Sequence, residues 1–241
     1  MTFPLFQRLE IETSSYCNRT CATCLRNSDP DREALAPWFR QRLLPTEVIE
    51  RLMDEALAMG FHGEVCLGHY NEPTLDKRLC ALGRLAKAKG FGPVFTMTNG
   101  DFLTPELGAD LDTAFDFILV AFYVAEPELS AKRAWAQPMF RRCEPRWVNP
   151  IHVPNHNWAA APRPNLLPCR LPLIRCIVNH RGESCLCCDD VIGRYGLGNV
   201  YDSSLAELWY SARRAELVAT LAEAGGRERA HPHCATCPRT L

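Results

Sequence analysis

The chain has 241 residues, 47% of them hydrophobic, which is enough for a sizeable core in one large domain or in one domain with a small appendage. Its 27 basic and 28 acidic residues nearly balance, so the charge gives no electrostatic basis for nucleic-acid binding and favours a small-molecule substrate. No stretch matches a signal peptide or a membrane span, and we therefore expect a cytoplasmic protein.

Strands alternate with helices over the first part of the chain. The hydrophobic periodicity predicts strands at 9–13, 64–69, 94–98 and 115–123, and helices at 46–59, 75–89, 104–111 and 129–137. This alternation predicts the α/β class, with a parallel sheet and right-handed crossovers. When such units close, they form a β/α barrel whose chemistry lies at the carboxyl ends of the strands.

The loop after the first strand carries the first conspicuous motif, with Cys17, Cys21 and Cys24 in the order CxxxCxxC. In that first strand, acidic residues alternate with apolar ones, so Glu10 and Glu12 share one face. Outward-facing positions of a barrel strand pack on helices. We therefore expect both glutamates to face the inside of the barrel, where one of them can reach substrate.

The pattern weakens after residue 126, and a different organisation follows. We predict a strand at 150–154 and a linker at 158–168, where three prolines lie among eleven residues. We therefore divide the chain into a barrel at 1–157 and a cysteine-rich module at 169–241. In the module, an apolar run predicts a strand at 171–178. Ser204 and Glu207 form a capping box that opens a helix ending at Gly225.

The chain has 13 cysteines, and they dominate its candidate chemistry. In a cytoplasmic protein they indicate metal binding, redox chemistry or small buried side chains. The three thiolates of the first loop are one fewer than a structural zinc ion or a complete iron–sulfur cluster usually takes. An iron–sulfur cluster bound there leaves one iron open to an outside ligand, whereas a zinc ion keeps a water or substrate molecule.

The CxxxCxxC spacing directly after the first strand resembles the radical S-adenosylmethionine (SAM) superfamily. The resemblance implies a partial (β/α)6-type barrel, a [4Fe–4S] cluster on Cys17, Cys21 and Cys24, and SAM bound to the open iron. It also implies that an electron cleaves SAM to methionine and a 5′-deoxyadenosyl radical, which abstracts a hydrogen atom from the substrate. A donor protein such as a flavodoxin or ferredoxin would supply the electron.

Two further motifs belong to this resemblance. YNEP (70–73) follows the second strand, where the superfamily has a GGE-type motif for the amino group of SAM, and TNGDFLT (98–104) follows the third. Asn71 stands where the family usually has glycine, and Thr23 stands where a bulkier apolar residue is common. The resemblance implies SAM binding by residues of all three loops: Thr23, Tyr70, Asn71, Glu72, Thr98 and Asn99.

The carboxy-terminal region resembles the auxiliary-cluster module called SPASM, in its short form called twitch. The similar segments are Cys169 with Gly182, CCDD (187–190), the segment 197–209 and CATC (234–237). They imply one auxiliary [4Fe–4S] cluster ligated by Cys169, Cys187, Cys234 and Cys237. Four protein ligands leave no open iron, so this cluster is suited to accept or relay an electron. Structural zinc is the alternative at both cysteine sites.

Six cysteines are outside these two sets. For Cys66, Cys80 and Cys176, the surrounding patterns favour small buried side chains. Cys185 and Cys188 flank Cys187 and are the alternatives to it as ligands. Cys143 lies in a poorly patterned stretch, and a thiol near the active site could return a hydrogen atom to a substrate radical.

Within the superfamily, the chain resembles the twitch-type dehydrogenases of aminoglycoside antibiotic biosynthesis in length, cysteine layout and the segments CNRTC (17–21) and TNGDFLT. The resemblance implies oxidation of a carbinol in an aminocyclitol, sugar or nucleoside to a ketone, with the auxiliary cluster accepting an electron. His156 lies where those enzymes carry a substrate-facing basic residue, and it is the candidate general base. Asp189 is expected to point towards the barrel mouth and bind a hydroxyl or ammonium group.

Three other functions are compatible with the residues. A radical epimerase would use Cys143 as its hydrogen-atom donor. Modification of a ribosomal peptide is common among SPASM proteins, although we find no segment left over for a leader-binding domain. A non-enzymatic iron–sulfur or zinc module would keep the fold without the chemistry. We expect a monomer that binds neither nucleic acid nor a membrane.

Overall fold

The computed structural model describes residues 4–22, 24–28, 40, 42–148, 165–237 and 239. Its strands are β1 (Arg8–Ile11), β2 (Glu64–Leu67), β3 (Val94–Thr98), β4 (Phe117–Val120), β5 (Glu144–Trp147), β6 (Arg175–Val178) and β7 (Ser184–Cys185). They form one sheet in the order β5-β4-β3-β2-β1-β6-β7. Neighbours from β5 to β6 pair in parallel, and β7 pairs antiparallel with β6. The predicted α/β class with a mainly parallel sheet is confirmed.

Helices connect the strands. In the first part of the chain they are α1 (Leu25–Ser28), α2 (Thr46–Ala58), α3 (Leu79–Ala88), α4 (Pro105–Ala114) and α5 (Glu128–Ala136). The carboxy-terminal region adds α6 (Leu171–Ile174), α7 (Leu205–Trp209), α8 (Ala212–Leu221), α9 (Gly226–Ala230) and α10 (Pro232–Ala235). In α4, the Thr104 side chain accepts from the backbone N–H of Leu107, and Pro105 fits the first turn. Within the described ranges, no helix is long and apolar enough to cross a membrane.

The two faces of the sheet have different partners. On the outer face, Leu9 and Ile11 are fully buried in the main core together with Leu52 of α2. On the inner face, the rings of Phe95 and Phe117 stack with centroids 4.4 Å apart. Glu10 and Glu12 are also buried, at 3% and 0% exposure. Glu10 pairs across the sheet with Arg175, so the alternation along β1 divides polar from apolar side chains as predicted.

The structure corrects three sequence predictions. The run 171–178 is not one strand, because Pro172 lies in the first turn of α6 and only Arg175–Val178 extends along the sheet. The helix expected to reach Gly225 is divided into α7 and α8, since Ser211 caps a new helix after the break. The strand β5 was not predicted, because its EPRW sequence lacks the apolar content of a buried strand.

The sheet also crosses the predicted domain boundary. Strand β6 lies in the segment assigned to the carboxy-terminal module, yet it pairs in parallel with β1 inside the same sheet. Trp209 and Leu205 of α7 likewise belong to the main core. The predicted strand at 150–154 and the boundary after residue 157 lie outside the described residues. The two regions that the sequence predicted therefore share one sheet and one hydrophobic core.

Candidate active site

Three loops at the carboxyl ends of β1, β2 and β3 border a cavity of about 320 Å³. The loop after β1 contributes Cys17, Cys21 and Cys24. The loop after β2, the last residue of β3 and the loop after β3 contribute six residues of the lining: His69, Tyr70, Asn71, Glu72, Thr98 and Asn99. The structure therefore brings the three sequence motifs to one cavity. Thr23 lies outside the described residues.

A glycine lets the chain turn from β2 into this cavity. Gly68 has a φ of +150°, and a Cβ at this position would lie 2.7 Å from Cγ of Pro73. Both the backbone conformation and the close approach favour the residue without a side chain. This turn directs the segment that follows, from His69 to Glu72, towards the cysteine loop.

Glu72 holds the loops after β2 and β3 together. Its Oε1 accepts a hydrogen bond from the Thr98 hydroxyl at 2.7 Å, and its Oε2 accepts from the backbone N–H of Asn99 at 2.7 Å. Oε1 also accepts from the Thr74 hydroxyl. The residue is only 2% exposed. Its carboxylate is thus engaged by protein donors, and it shapes the cavity by fixing the two loops to each other.

A second set of hydrogen bonds joins the cysteine loop to the loop after β3. Arg19 donates from Nε to Oδ2 of Asp101 at 2.6 Å, and Asn18 donates to the same oxygen at 2.7 Å. Asn99 donates from Nδ2 to Oδ1 of Asn18 at 2.9 Å. The Arg19 guanidinium holds the pKa of Asp101 below its usual range. The CNRTC and TNGD segments therefore form one hydrogen-bonded unit.

Tyr70 connects the cavity to the carboxy-terminal region. Its hydroxyl donates to the carbonyl of Cys188 at 2.8 Å, and its backbone N–H donates to Oε1 of Glu12 at 3.0 Å. The other oxygen of Glu12 lies 2.6 Å from Nδ1 of His180. Burial acts to raise the pKa of Glu12, but its contacts with His180 lower that pKa overall. The loop after β2 is therefore fixed to both β1 and the turn after β6.

A second, smaller cavity lies in the carboxy-terminal region. Four cysteines line it: Cys169, Cys187, Cys234 and Cys237. The Tyr195 hydroxyl also reaches it, at 3.2 Å from Sγ of Cys234. Cys185 and Cys188 do not line this cavity and pack instead in a cluster with Leu171 and Ile177. The structure therefore brings the four cysteines predicted as ligands to one cavity.

Both cysteine sets fit iron–sulfur clusters by the chemistry of their donors. Thiolates are the usual ligands of such clusters, and each set lines its own cavity. Burial raises the pKa of the Cys24 thiol to about 11, so a bound metal must supply the positive charge that keeps the thiolate. A single zinc ion would hold its sulfur ligands about 3.8 Å apart. Within the described ranges, no group of His, Cys, Asp or Glu is arranged to hold one metal ion.

Two predicted site residues are not at the three-cysteine cavity. Asp189 lines the four-cysteine cavity instead, and its Oδ2 pairs with Nε of Arg239 at 2.6 Å. Cys143 directly precedes β5, at the amino ends of the strands, and its backbone N–H donates to Asp112 at 2.9 Å. The structure corrects both expected placements, because long-range contacts hold each residue elsewhere. His156 lies outside the described residues.

The sequence analysis did not single out several residues of the cavity. His69 lines it directly before the YNEP motif, and Arg19 lines it between two of the cysteines. Tyr123 lines it beyond the end of β4, where Arg19 lies over its ring at 4.7 Å from the centroid. The sequence offered one indication of their role, which was their position in loops that follow the carboxyl ends of strands.

Comparisons with known proteins agree with this geometry. The model of the SPASM iron–sulfur cluster-binding domain matches residues 169–238. The chain is 23% identical over 224 residues to the S-adenosyl-L-methionine-dependent 2-deoxy-scyllo-inosamine dehydrogenase of Niallia circulans, covering 86% of this chain and 83% of the relative. A crystal structure of BtrN in complex with AdoMet and 2-DOIA superposes with a TM-score of 0.80 at 21% identity, covering 99% and 95% of the two chains.

A more distant solved structure has the same fold. It is native anSMEcpe with bound AdoMet, with a TM-score of 0.59, 14% identity and coverage of 95% of this chain and 88% of that chain. The chain thus shares its fold with these two AdoMet-binding proteins, and its residues 169–238 match the SPASM iron–sulfur cluster-binding domain. The expected similarity to the dehydrogenases of aminoglycoside antibiotic biosynthesis is confirmed by the match to 2-deoxy-scyllo-inosamine dehydrogenase.

Proposed function

We propose that the chain is a radical SAM dehydrogenase that oxidises a carbinol of a small polar substrate to a ketone. The observation that carries the proposal is the combination of an open three-cysteine cavity with a separate four-cysteine cavity in one fold. The similarity to 2-deoxy-scyllo-inosamine dehydrogenase favours an aminocyclitol over a sugar or nucleoside. In this proposal the two cysteine sites have different roles in the oxidation.

At the first site, Cys17, Cys21 and Cys24 bind a [4Fe–4S] cluster and leave one position for SAM. When bound, the cluster and SAM supply one-electron chemistry that removes a hydrogen atom from the substrate carbon. SAM contacts come from Thr23 and from the loops after β2 and β3, through Tyr70, Asn71, Thr98 and Asn99. Glu72 and Asp101 keep these loops in place, since their carboxylates bind both neighbouring segments.

At the second site, four cysteines bind the auxiliary [4Fe–4S] cluster: Cys169, Cys187, Cys234 and Cys237. Because the protein would fill every ligand position, the cluster would leave no iron for substrate and could supply an acceptor for one electron. His156 is a candidate proton acceptor by its resemblance to the basic residue of similar dehydrogenases. The position of Cys143 at the amino ends of the strands, away from the three-cysteine cavity, favours oxidation over the epimerase alternative.

The proposal is tested with anaerobically reconstituted protein. We expect about eight irons per chain, in two clusters of four. After reduction by dithionite or by flavodoxin, the protein should cleave SAM and convert 2-deoxy-scyllo-inosamine to its ketone. A protein that binds zinc stably and no iron would contradict the proposed enzymatic function. Deuterium from solvent in an unoxidised product would identify an epimerase. Sedimentation of the same sample tests the expected monomer.

A further inference from the structure

Tyr195 is a buried tyrosine at the four-cysteine cavity to which the proposed function gives no role. It is 5% exposed, and its ring contacts that of His231 with centroids 4.8 Å apart. The loop that carries it is fixed by Asp190, whose Oδ1 accepts from the backbone N–H of Arg194 at 2.8 Å. These contacts hold the ring where its hydroxyl lies 3.2 Å from Sγ of Cys234, a predicted ligand of the auxiliary cluster.

The chemistry of the ligand decides which of these two atoms donates. A tyrosine hydroxyl and a cysteine thiol can each donate or accept a hydrogen bond. A cysteine that ligates iron is a thiolate, which has no proton to donate and carries negative charge. The Tyr195 hydroxyl must then be the donor, in a charge-assisted hydrogen bond to the ligand sulfur. Hydrogen bonds to the sulfurs are among the features that set the reduction potential of an iron–sulfur cluster.

A buried cation at the same cavity also favours added negative charge. Arg227 lines the cavity and is 1% exposed. Its guanidinium donates to the carbonyls of Leu167 at 2.6 Å and Pro168 at 3.3 Å, and within the described ranges it forms no ion pair with a carboxylate. Asp189, the carboxylate that lines this cavity, is paired with Arg239. Because a buried charge needs a counter-charge, Arg227 suits a cavity that takes up negative charge.

We propose that Tyr195 raises the reduction potential of the auxiliary cluster by donating a hydrogen bond to Sγ of Cys234. The inference rests on the proposed function, in which that cluster accepts the electron left on the substrate after the hydrogen atom and the hydroxyl proton have gone. One electron enters the cluster, and no bond forms or breaks at this site. Reduction adds negative charge that the ligand sulfurs share, so the hydrogen bond is stronger in the reduced state and favours it. The charge of Arg227 acts in the same direction.

The test is a redox titration of the reconstituted protein, followed by electron paramagnetic resonance. SAM binds the open iron, so its addition identifies the signal of the first cluster and leaves that of the auxiliary cluster. Tyr195→Phe removes the hydroxyl and keeps the ring. It should keep the iron content and lower the equilibrium constant for reduction of the auxiliary cluster by about tenfold, which is about 59 mV for one electron. Replacement of Tyr195 by 3-fluorotyrosine, whose hydroxyl is the stronger donor, should shift the potential upwards.

The matched control is Tyr201→Phe, because Tyr201 is exposed and does not line the cavity. This variant should have the potential of the wild type. An unchanged potential in both Tyr195 variants overturns the inference, since a tyrosine that only packs would not move it. If Tyr195→Phe loses the cluster, the sign of the shift with 3-fluorotyrosine decides.

The proposed function fails in a different way. A wild-type protein that holds both clusters but forms no ketone contradicts the proposed oxidation, while the two opposite shifts still support the role of Tyr195 at the cluster. A wild-type protein that binds no second cluster overturns both.

Discussion

The two cysteine sites of this molecule are built in different ways. Cys17, Cys21 and Cys24 come from one short loop after β1. The other four cysteines extend from Cys169 to Cys237 and meet in one cavity because α6 to α10 fold around them. The first set lies beside a cavity of about 320 Å³. In the proposed function, three protein ligands leave one position open for SAM and four fill every position, so the number of ligands separates substrate chemistry from electron storage.

The strongest test of this division removes a ligand of the open site. Cys17→Ala should abolish SAM cleavage and lower the iron content from about eight to about four per chain, because the auxiliary cluster stays. Iron analysis and 5′-deoxyadenosine formation measure the two effects. Cys80→Ala is the matched control, since Cys80 is buried in the main core away from both cavities. Equal iron loss in the control would contradict the assignment.

Removal of a ligand of the closed site should have a narrower effect. Cys187→Ala should also lower the iron content to about four, but it should keep SAM cleavage and lose ketone formation. Cys188→Ala is the matched control, because the neighbouring thiol packs outside the cavity. Product analysis after a single turnover measures the difference. If Cys188→Ala loses the cluster and Cys187→Ala keeps it, the ligand assignment is wrong.

The hydrogen bonds of Glu12, which join the loop after β2 to the turn after β6, are expected to contribute to stability. Glu12→Gln should lower the free energy of unfolding by about 2 kcal/mol, because an amide cannot accept from both the Tyr70 and His180 donors as the carboxylate does. The folded pKa of Glu12 is lowered, so its stabilisation is present above the usual glutamate pKa and is lost as the pH falls through the lowered value. Denaturant unfolding at two pH values measures both effects.

The control for Glu12 is a glutamate at the surface. Glu64 pairs with Arg8 while its side chain is 36% exposed. Glu64→Gln should therefore change the free energy of unfolding by less than about 1 kcal/mol. Similar losses of unfolding free energy in Glu12→Gln and Glu64→Gln would contradict a larger contribution from the buried glutamate.

The smallest effect is expected at the hydrogen bonds that shape the open cavity. Asp101→Asn weakens the pairing with Arg19, and an exposed ion pair of this kind contributes less than about 1 kcal/mol, or up to about 5-fold in SAM affinity. Equilibrium binding of SAM to the reconstituted protein measures the change. Asp110→Asn, which removes a surface pair with Arg84 away from the cavity, should leave the affinity unchanged.

Much of the fold could be predicted because its signals are local. The prediction of β3 at 94–98 is confirmed at both ends, and α2 differs from its prediction by one residue. The capping box of Ser204 and Glu207 is present. The strand β5 was missed because it lies at the sheet edge, where EPRW is half exposed and no apolar run is needed. Which strand lies at the edge depends on how the whole sheet assembles, so the sequence of the strand alone does not predict it.

The amino-acid sequence by itself determined the CxxxCxxC motif, the alternation of strands and helices and the motifs at the strand ends, because spacing within one loop or element is a local property. Only the tertiary structure decided which of the adjacent cysteines faces the second cavity, and that Asp189 pairs with Arg239. It also placed Glu10 beside His69. These contacts join residues far apart in the chain, so they depend on packing that no local pattern encodes.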